Sequence, residues 1–249
     1  MRAAPATTPV SEMDRLSSFA MSSLANMNYG QAIRSFSAGA ELAKRSGDLQ
    51  RAQRFLNALG GSYLTVYQYR KALGAYEEAR QIARQKRASE VEGVIDLNLT
   101  TLYILLGDAD SARREIGEAK LRLPLSSRYW ASLYAGEARL ALRNGDGASV
   151  ERAIRDGLSA ADASANAEAR AALCEDLGLL QMQRGELDRA EESLLESYRI
   201  RRLQRLRDVE PVLCSLSRLA LRQGQTARAV WLAKLARTSR TYSTSSAPP

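Results

Sequence analysis

Histidine is absent from this 249-residue sequence, and cysteine occurs only twice. Ser-His and Cys-His catalysis both need an imidazole as proton acceptor, so this chain can build neither arrangement. Zinc sites of mixed Cys/His type are excluded, and two cysteines are too few for a four-cysteine site. We therefore expect a protein that is not an enzyme and that holds no metal ion and no cofactor.

Long apolar runs are missing as well. No run approaches the roughly 20 apolar residues that are needed to span a bilayer. The N-terminal stretch MRAAPATTPVSEMDRL lacks the apolar region of a secretory signal. Cys174 and Cys214 lie in apolar segments with helical spacing, which favours two buried side chains over a disulfide framework. We expect a cytoplasmic protein without membrane contact.

Proline and glycine are scarce, with 6 and 16 residues, whereas 45% of the chain is hydrophobic and 26% is charged. This composition is typical of a soluble protein with a substantial core. Only the ends differ: residues 1–10 are rich in Ala, Thr and Pro, and residues 238–249 in Ser, Thr and Pro. We predict disordered tails at 1–10 and 241–249, the second of them a tail or a linker, around one domain at 11–240.

Similar segments recur along this domain. When they are aligned on the alanine of RKALGAYEEA, each segment carries a small or β-branched residue at the same position, 38 to 40 residues after the previous one. These anchor residues are Ala32, Ala72, Ala112, Val150, Ala190 and Ala229. A turn marked by Gly, Asn or Asp precedes most of them, as in NGDG at 144–147. The pattern predicts six helical hairpins with the anchor in the second helix.

The segments resemble the tetratricopeptide repeat (TPR) family in a long-period variant of about 40 residues, compared with the commonest period of about 34. The second segment supplies the family's pattern of small and large residues most completely: Leu56, Leu59, Gly60, Tyr63, Ala72, Tyr76 and Ala79. The resemblance implies an all-α fold, a right-handed α-solenoid of about six TPR-like antiparallel hairpins. Gly60 and Ala72 then let the two helices of one hairpin approach, and Ala79 lets the next hairpin dock.

The same resemblance implies a concave wall that is lined by the first helix of each hairpin and binds a partner. The residues at the family's groove positions are Arg54, Asn57, Asn98, Thr101, Arg139, Glu175, Asp176 and Arg218. Such a wall suits an extended peptide or an amphipathic helix of another protein. We do not expect the family's clamp for a C-terminal carboxylate, because Gly61, Ser132 and Gly136 occupy some of its positions.

Net charge is +8 and the isoelectric point is about 9.7, which suits an acidic protein segment or nucleic acid as partner. The strongest basic run is RIRRLQRLR at 199–207, where Arg201, Arg202 and Arg205 would contact a nucleic acid. Its arginines alternate with Leu and Ile at helical spacing, so we interpret the run as the solvated face of an amphipathic helix. A protein is therefore the expected partner, and a basic nucleic-acid-binding solenoid is an alternative.

Three functions are consistent with this sequence. The preferred one is a scaffold that binds a peptide or helix of a partner protein. The second is a sensor array that controls a fused or bound effector, such as a transcription regulator or a protease, since periods near 40 resemble the kinesin light chain type and the arrays of bacterial regulators. Nucleic-acid binding is the third. The last helix, TARAVWLAKLART, also predicts self-association because it would expose Trp231 or Leu235.

Overall fold

The computed structural model describes residues 8–204, 206 and 209–241, with side chains up to residue 238. These residues form twelve α-helices and contain no β-strand. The helices are α1 (Pro9–Ala25), α2 (Tyr29–Arg45), α3 (Leu49–Thr65), α4 (Tyr69–Gln85), α5 (Ser89–Leu106), α6 (Ala109–Arg122), α7 (Trp130–Arg143), α8 (Gly147–Ala163), α9 (Ala167–Gln183), α10 (Leu187–Leu203), α11 (Val209–Arg222) and α12 (Thr226–Thr241). Five successive pairs are in contact and form hairpins, namely α1–α2, α3–α4, α7–α8, α9–α10 and α11–α12, and α5 and α6 follow one another in the chain as the remaining pair. The twelve helices confirm the predicted all-α class.

The six anchor residues lie in the second helices, as the repeat predicted. Five of them have no exposed surface and Ala229 is 2% exposed. Around them the core consists mainly of Leu, Ile and Ala side chains from neighbouring helices, for example Leu194, Leu213 and Leu232. The anchors are small because two helices approach each other closely at these points.

Nine turns between helices in the described residues share one backbone feature, a residue with φ in the left-handed region. Gly145, for example, has a φ of 73° in the left-handed region, and the amide of Asp146 donates to the carbonyl of Ala141 at 3.0 Å. The side chain of Asp146 then accepts from the amide of Ser149 and caps α8. A left-handed residue ends one helix and an Asx residue starts the next, which explains the Gly-Asp pairs in the sequence.

The helical region extends beyond the predicted domain at both ends. Thr8 caps α1 by accepting from the amide of Ser11, and Pro9 starts the helix at the position where its missing amide hydrogen costs nothing. Residues 9 and 10 are therefore helical, although we predicted them as part of a tail. At the other end α12 includes residue 241. The remainder of both predicted tails, 1–7 and 242–249, lies outside the described residues.

The chain forms two compact units, residues 1–102 (unit 1) and residues 103–249 (unit 2), with the boundary inside α5. A single domain over 11–240 stays a prediction. In unit 1, a Cβ atom added to Gly60 would lie 2.5 Å from Cε1 of Tyr76. The glycine is thus required for close helix packing as predicted, but it faces the tyrosine ring, where we had expected the contact with Ala72.

Two further properties were predicted from the sequence. Cys174 is buried, and Cys214 is exposed on α11, so the prediction of two buried thiols is wrong for Cys214. Its neighbours Leu213 and Ser215 point into unit 2, which turns Cys214 outward. None of the helices in the described part of the chain combines the length and apolarity that crossing a membrane requires.

Candidate functional site

The first helices of successive hairpins lie side by side within each unit and present one polar surface, which we call the wall. In unit 1, Nδ2 of Asn98 on α5 donates to Oδ1 of Asn57 on α3 at 2.8 Å. In unit 2, Arg139 on α7 contacts Asp176 on α9, and Ser215 on α11 contacts Glu175 on α9. All eight predicted groove residues therefore lie on first helices, four in each unit, and their contact with a partner stays a prediction.

The wall of unit 1 is polar and carries amide groups. Asn57 and Asn98 are half-buried, and Thr101 is half-buried with its hydroxyl donating to the carbonyl of Leu97 at 3.2 Å. Arg54 is exposed beside them on α3. A side-chain amide offers both a donor and an acceptor, so this pair matches the hydrogen-bonding groups of a peptide backbone.

The two acidic groove residues of unit 2 are buried. Glu175 is 7% exposed and Asp176 is 1% exposed, because α9 is packed against α7, α8, α10 and α11. The side chain of Glu175 accepts from Arg201 at 2.9 Å and from Ser215 at 3.2 Å. The expectation that these carboxylates face a partner is therefore corrected: they act as counter-ions for arginines of neighbouring helices.

Burial also changes the acidity of this cluster. Loss of hydration raises the pKa of Asp176 to about 6, and the charge of Glu175 adds to the rise. Arg139 opposes it by favouring the charged carboxylate, but its nearest nitrogen is 3.3 Å from Oδ2, a long contact. Desolvation is therefore the larger effect.

The same cluster corrects the interpretation of the basic run. Arg201 is 2% exposed and paired with Glu175, so this arginine is a core residue. Arg202 is exposed, as predicted for a solvated face, and Arg205 lies outside the described residues. Arg201 cannot contact a nucleic acid from this position.

Four arginines form one pattern on the wall of unit 2, and two of them were not predicted from the sequence. The pentapeptide RLALR occurs at 139–143 in α7 and again at 218–222 in α11. Its arginines therefore occupy the same two repeat positions in both helices, and α9 lies between them. We call Arg139, Arg143, Arg218 and Arg222 the arginine wall. From the sequence we predicted only Arg139 and Arg218 as groove residues, although the repeated pentapeptide marks all four positions.

Each arginine of this wall is positioned by a contact with unit 2. Arg143 donates to the carbonyl of Ile104, and Arg222 donates to the carbonyl of Met182. Nη2 of Arg218 donates to Oγ of Ser215 at 3.4 Å. The side chain of Arg139 is 40% exposed, and the other three residues are exposed. The guanidinium groups are thus held at the surface.

Two other surface features contain none of the predicted groove residues. A cleft of about 520 Å³ between α6, α7 and α8 is lined by charges of both signs, including Arg113, Lys120, Glu137 and Asp146. Lys120 already pairs with Glu137 there. On α12, Trp231 is 59% exposed and Leu235 is half-buried. Self-association through this helix stays a prediction.

No protein-family model matches this sequence, and neither does any of the curated proteins. Solved structures with a similar fold exist. The Rap conjugation gene regulator of the plasmid pLS20, in complex with the Phr* peptide, has a TM-score of 0.78 and 14% identity over 97% of this chain and 65% of that chain. The apo form of RapI has a TM-score of 0.78 and 12% identity over 96% and 86% of the two chains.

A third similar structure is a tetratricopeptide repeat protein from Parabacteroides merdae, with a TM-score of 0.56 and 16% identity over 92% of this chain and 93% of that chain. At identities this low the similarity concerns the fold. The fold is an all-α solenoid of TPR-like hairpins, as the sequence predicted.

Proposed function

We propose that this protein is a non-enzymatic scaffold that captures a peptide or a helix of a partner protein on the wall of its first helices. One observation carries the proposal: adjacent first helices are connected through polar side chains that remain accessible, such as Asn57 with Asn98 in unit 1. A row of this kind offers donors and acceptors along an extended chain. Function is argued from these side chains, because the fold alone does not determine it.

The similar structures support a peptide as the captured segment. One is a Rap conjugation gene regulator in complex with the Phr* peptide, and another is a Rap protein in complex with competence and sporulation factor. They also favour the second candidate, a bacterial sensor array in which a captured peptide controls a bound effector. Both candidates require the same first event, peptide capture on the wall.

Six of the predicted residues are positioned to contact such a partner in this proposal. All six have exposed or half-buried polar side chains on the walls, and the side chain of Arg139 is 40% exposed. They are Arg54, Asn57, Asn98, Thr101, Arg139 and Arg218. Glu175 and Asp176 would act indirectly, by holding arginines of unit 2 in place. We infer from the sequence that the protein is cytoplasmic.

Peptide selection tests the proposal. A random 12-residue library displayed on phage is panned on the full chain, and the recovered peptides are measured by fluorescence anisotropy. We expect Arg139→Glu with Arg218→Glu to weaken binding at least tenfold. The control Arg113→Glu with Arg199→Glu, on exposed positions of α6 and α10, makes the same change in charge and should leave binding unchanged.

Two outcomes would contradict capture on the wall. Selection that yields no binding peptide argues against a peptide-binding function. Equal binding to the wall variant and to the control variant places the binding surface elsewhere on the protein.

A further inference from the structure

On the wall of unit 2, the exposed charged residues in the C-terminal halves of α7 and α11 are all arginines. The four residues of the arginine wall lie in the C-terminal halves of these helices. The acidic residues in the middle of α9, Glu175 and Asp176, are buried and already in contact with Arg201 and Arg139. The guanidinium groups therefore dominate the potential at this surface.

Other acidic residues of the three helices lie away from the arginine wall. Glu137 on α7 faces α6, where it pairs with Lys120. Glu168 and Glu210 stand in the first turns of α9 and α11, at the opposite ends of the helices. A ligand that crosses the C-terminal halves would therefore meet arginines first.

Helix capping explains only half of this arrangement. Arg143 and Arg222 lie in the last turn, where a positive charge interacts favourably with the helix dipole and with terminal carbonyls. Arg139 and Arg218 lie one turn earlier, where no such carbonyl needs a partner. A guanidinium also has five N–H donors, so a contact with one carbonyl leaves Arg143 and Arg222 able to bind a carboxylate.

The spacing of the arginines suits an extended chain. Packed helices lie about 8–10 Å apart, so α7 and α11 are roughly 20 Å apart across α9. An extended peptide advances about 3.3 Å per residue and covers that distance in about six residues. Along each helix the two arginines are one turn apart, close enough to bind one or two carboxylates in bidentate fashion.

We propose that the arginine wall binds an extended acidic peptide whose carboxylates, about six residues apart, pair with Arg139 and Arg143 on α7 and with Arg218 and Arg222 on α11. This inference rests on the proposed capture of a peptide and specifies its chemistry. An acidic protein segment is favoured over nucleic acid as the ligand. The arginine wall consists of two clusters of guanidinium groups, and the apolar, half-buried side chain of Leu179 on α9 lies between these clusters. Among the described residues, the arginine wall includes no aromatic side chain on which a nucleic-acid base could stack.

Matched synthetic probes test the charge. The first probe is a fluorescein-labelled 12-residue peptide of Gly, Ser and Leu with two pairs of Glu that are six residues apart, and the second replaces every Glu by Gln. We expect the full chain to bind the Glu probe at least tenfold more tightly in 50 mM salt. The preference should decrease steeply with added salt, because ion pairs at an exposed surface are screened.

Two charge-matched variants locate the site. Arg139→Gln, Arg143→Gln, Arg218→Gln and Arg222→Gln together should abolish the preference for Glu. The control neutralises four exposed arginines of second helices, Arg113, Arg152, Arg189 and Arg199, and should retain it. Since loss of Arg139 leaves Asp176 without that contact, the pair Arg218→Glu and Arg222→Glu is measured separately. The variant with Arg218→Glu and Arg222→Glu should bind a probe with Lys in place of Glu more tightly than it binds the Glu probe. Its circular dichroism spectrum should be the same as that of the wild type.

Four results would overturn the inference. Equal affinity of the full chain for the Glu and Gln probes excludes recognition of carboxylates, and an equal effect of the control variant excludes this surface. Tighter binding of a 20-nucleotide single strand of thymidine, lost in the wall variant, would identify a nucleic-acid site. If library selection yields peptides that bind the wall without acidic residues, the scaffold function stands and only the acidic specificity is wrong.

Discussion

Unit 1 places aromatic rings against the glycines of its helices, whereas unit 2 places leucines there. In each case the large side chain follows the glycine by sixteen residues, on the next helix. The pairs are Gly39 with Phe55 and Gly60 with Tyr76 in unit 1, and Gly157 with Leu173 and Gly178 with Leu194 in unit 2. The repeat therefore depends on a close approach at a fixed spacing, and different apolar side chains can fill it.

The turns show a second difference. Inside the hairpins of unit 1, the left-handed position is occupied by Met27 and Tyr67. In the hairpins of unit 2 it is always glycine, at positions 107, 145, 185 and 224. The left-handed conformation costs a residue with a Cβ atom roughly 1 kcal/mol, so the turns inside the hairpins of unit 1 carry strain that the corresponding turns of unit 2 avoid.

The walls differ most in chemistry. Unit 1 presents the amides of Asn57 and Asn98, which are neutral, and unit 2 presents the arginine wall. Packing does not require this difference, because apolar side chains fill the core positions of both units. In the proposed capture of a peptide, the side chains that differ between the two walls would set the specificity.

Breaking the buried ion pair of unit 2 should have the largest effect on stability. We expect Arg201→Met to lower the free energy of unfolding by about 3–5 kcal/mol, because Glu175 then keeps a buried charge without its main partner. In unit 1, Arg80 is 3.4 Å from the buried Asp96 and also pairs with Glu77, so Arg80→Met should cost less. Urea denaturation measures both variants.

The double variant Arg201→Met with Glu175→Leu is the control for this experiment. Removing both charges should restore most of the lost stability. A double variant as unstable as Arg201→Met alone would show that side-chain packing, and not charge, is responsible.

Overpacking at Gly60 should have the next largest effect. Gly60→Leu places a side chain where a Cβ atom alone would be 2.5 Å from the Tyr76 ring, and we expect a loss of about 3 kcal/mol. Gly74→Leu is the matched control, because no atom lies within 4 Å of the position of its Cβ. An unchanged melting temperature for Gly60→Leu would contradict the contact with Tyr76.

Asp176 should make the stability of unit 2 depend on pH. The pKa of this carboxyl is about 6 in the folded protein and 3.8 ordinarily, so the folded state binds the proton more tightly. Its contribution is complete below about pH 4 and is lost as the pH rises through 6, a change of about 3 kcal/mol.

Asp176→Asn isolates this contribution. Hydrogen bonds with Ser149 lower the pKa of Asp146, and hydrogen bonds with Arg51 lower the pKa of Asp48. These two carboxyl groups change stability with pH in the opposite sense to Asp176, and they do so equally in the wild type and in the variant. The difference in unfolding free energy between wild type and Asp176→Asn should therefore shift in favour of the variant between pH 4 and 7. A difference that is constant across this range would show that Asp176 keeps its ordinary pKa.

Exchange of turn residues should have the smallest effect. We expect Tyr67→Gly to stabilise unit 1 by about 1 kcal/mol and Gly185→Ala to destabilise unit 2 by a similar amount. Chemical denaturation followed by circular dichroism measures both. If both substitutions destabilise, the contact between the rings of Tyr67 and Tyr69 outweighs the backbone strain.

The repeat in the sequence was sufficient to predict the hairpins, because small anchors such as Ala72 and Val150 recur wherever two helices approach closely. It was not sufficient for Glu175, Asp176 and Arg201, which were expected at the surface. Their burial depends on four helices that pack around α9 and on partners that are 26 to 40 residues away in the chain. A local pattern of charges contains no information about such partners.

Cys214 gives the protein a built-in reporter. Its thiol is exposed, whereas burial raises the pKa of Cys174 and suppresses its reactive thiolate form. A maleimide dye added to the native chain should therefore attach at one site on α11. Cys214 and Arg218 are one helical turn apart, so the fluorescence of that dye would respond when a ligand occupies the neighbouring guanidinium, without any engineered residue.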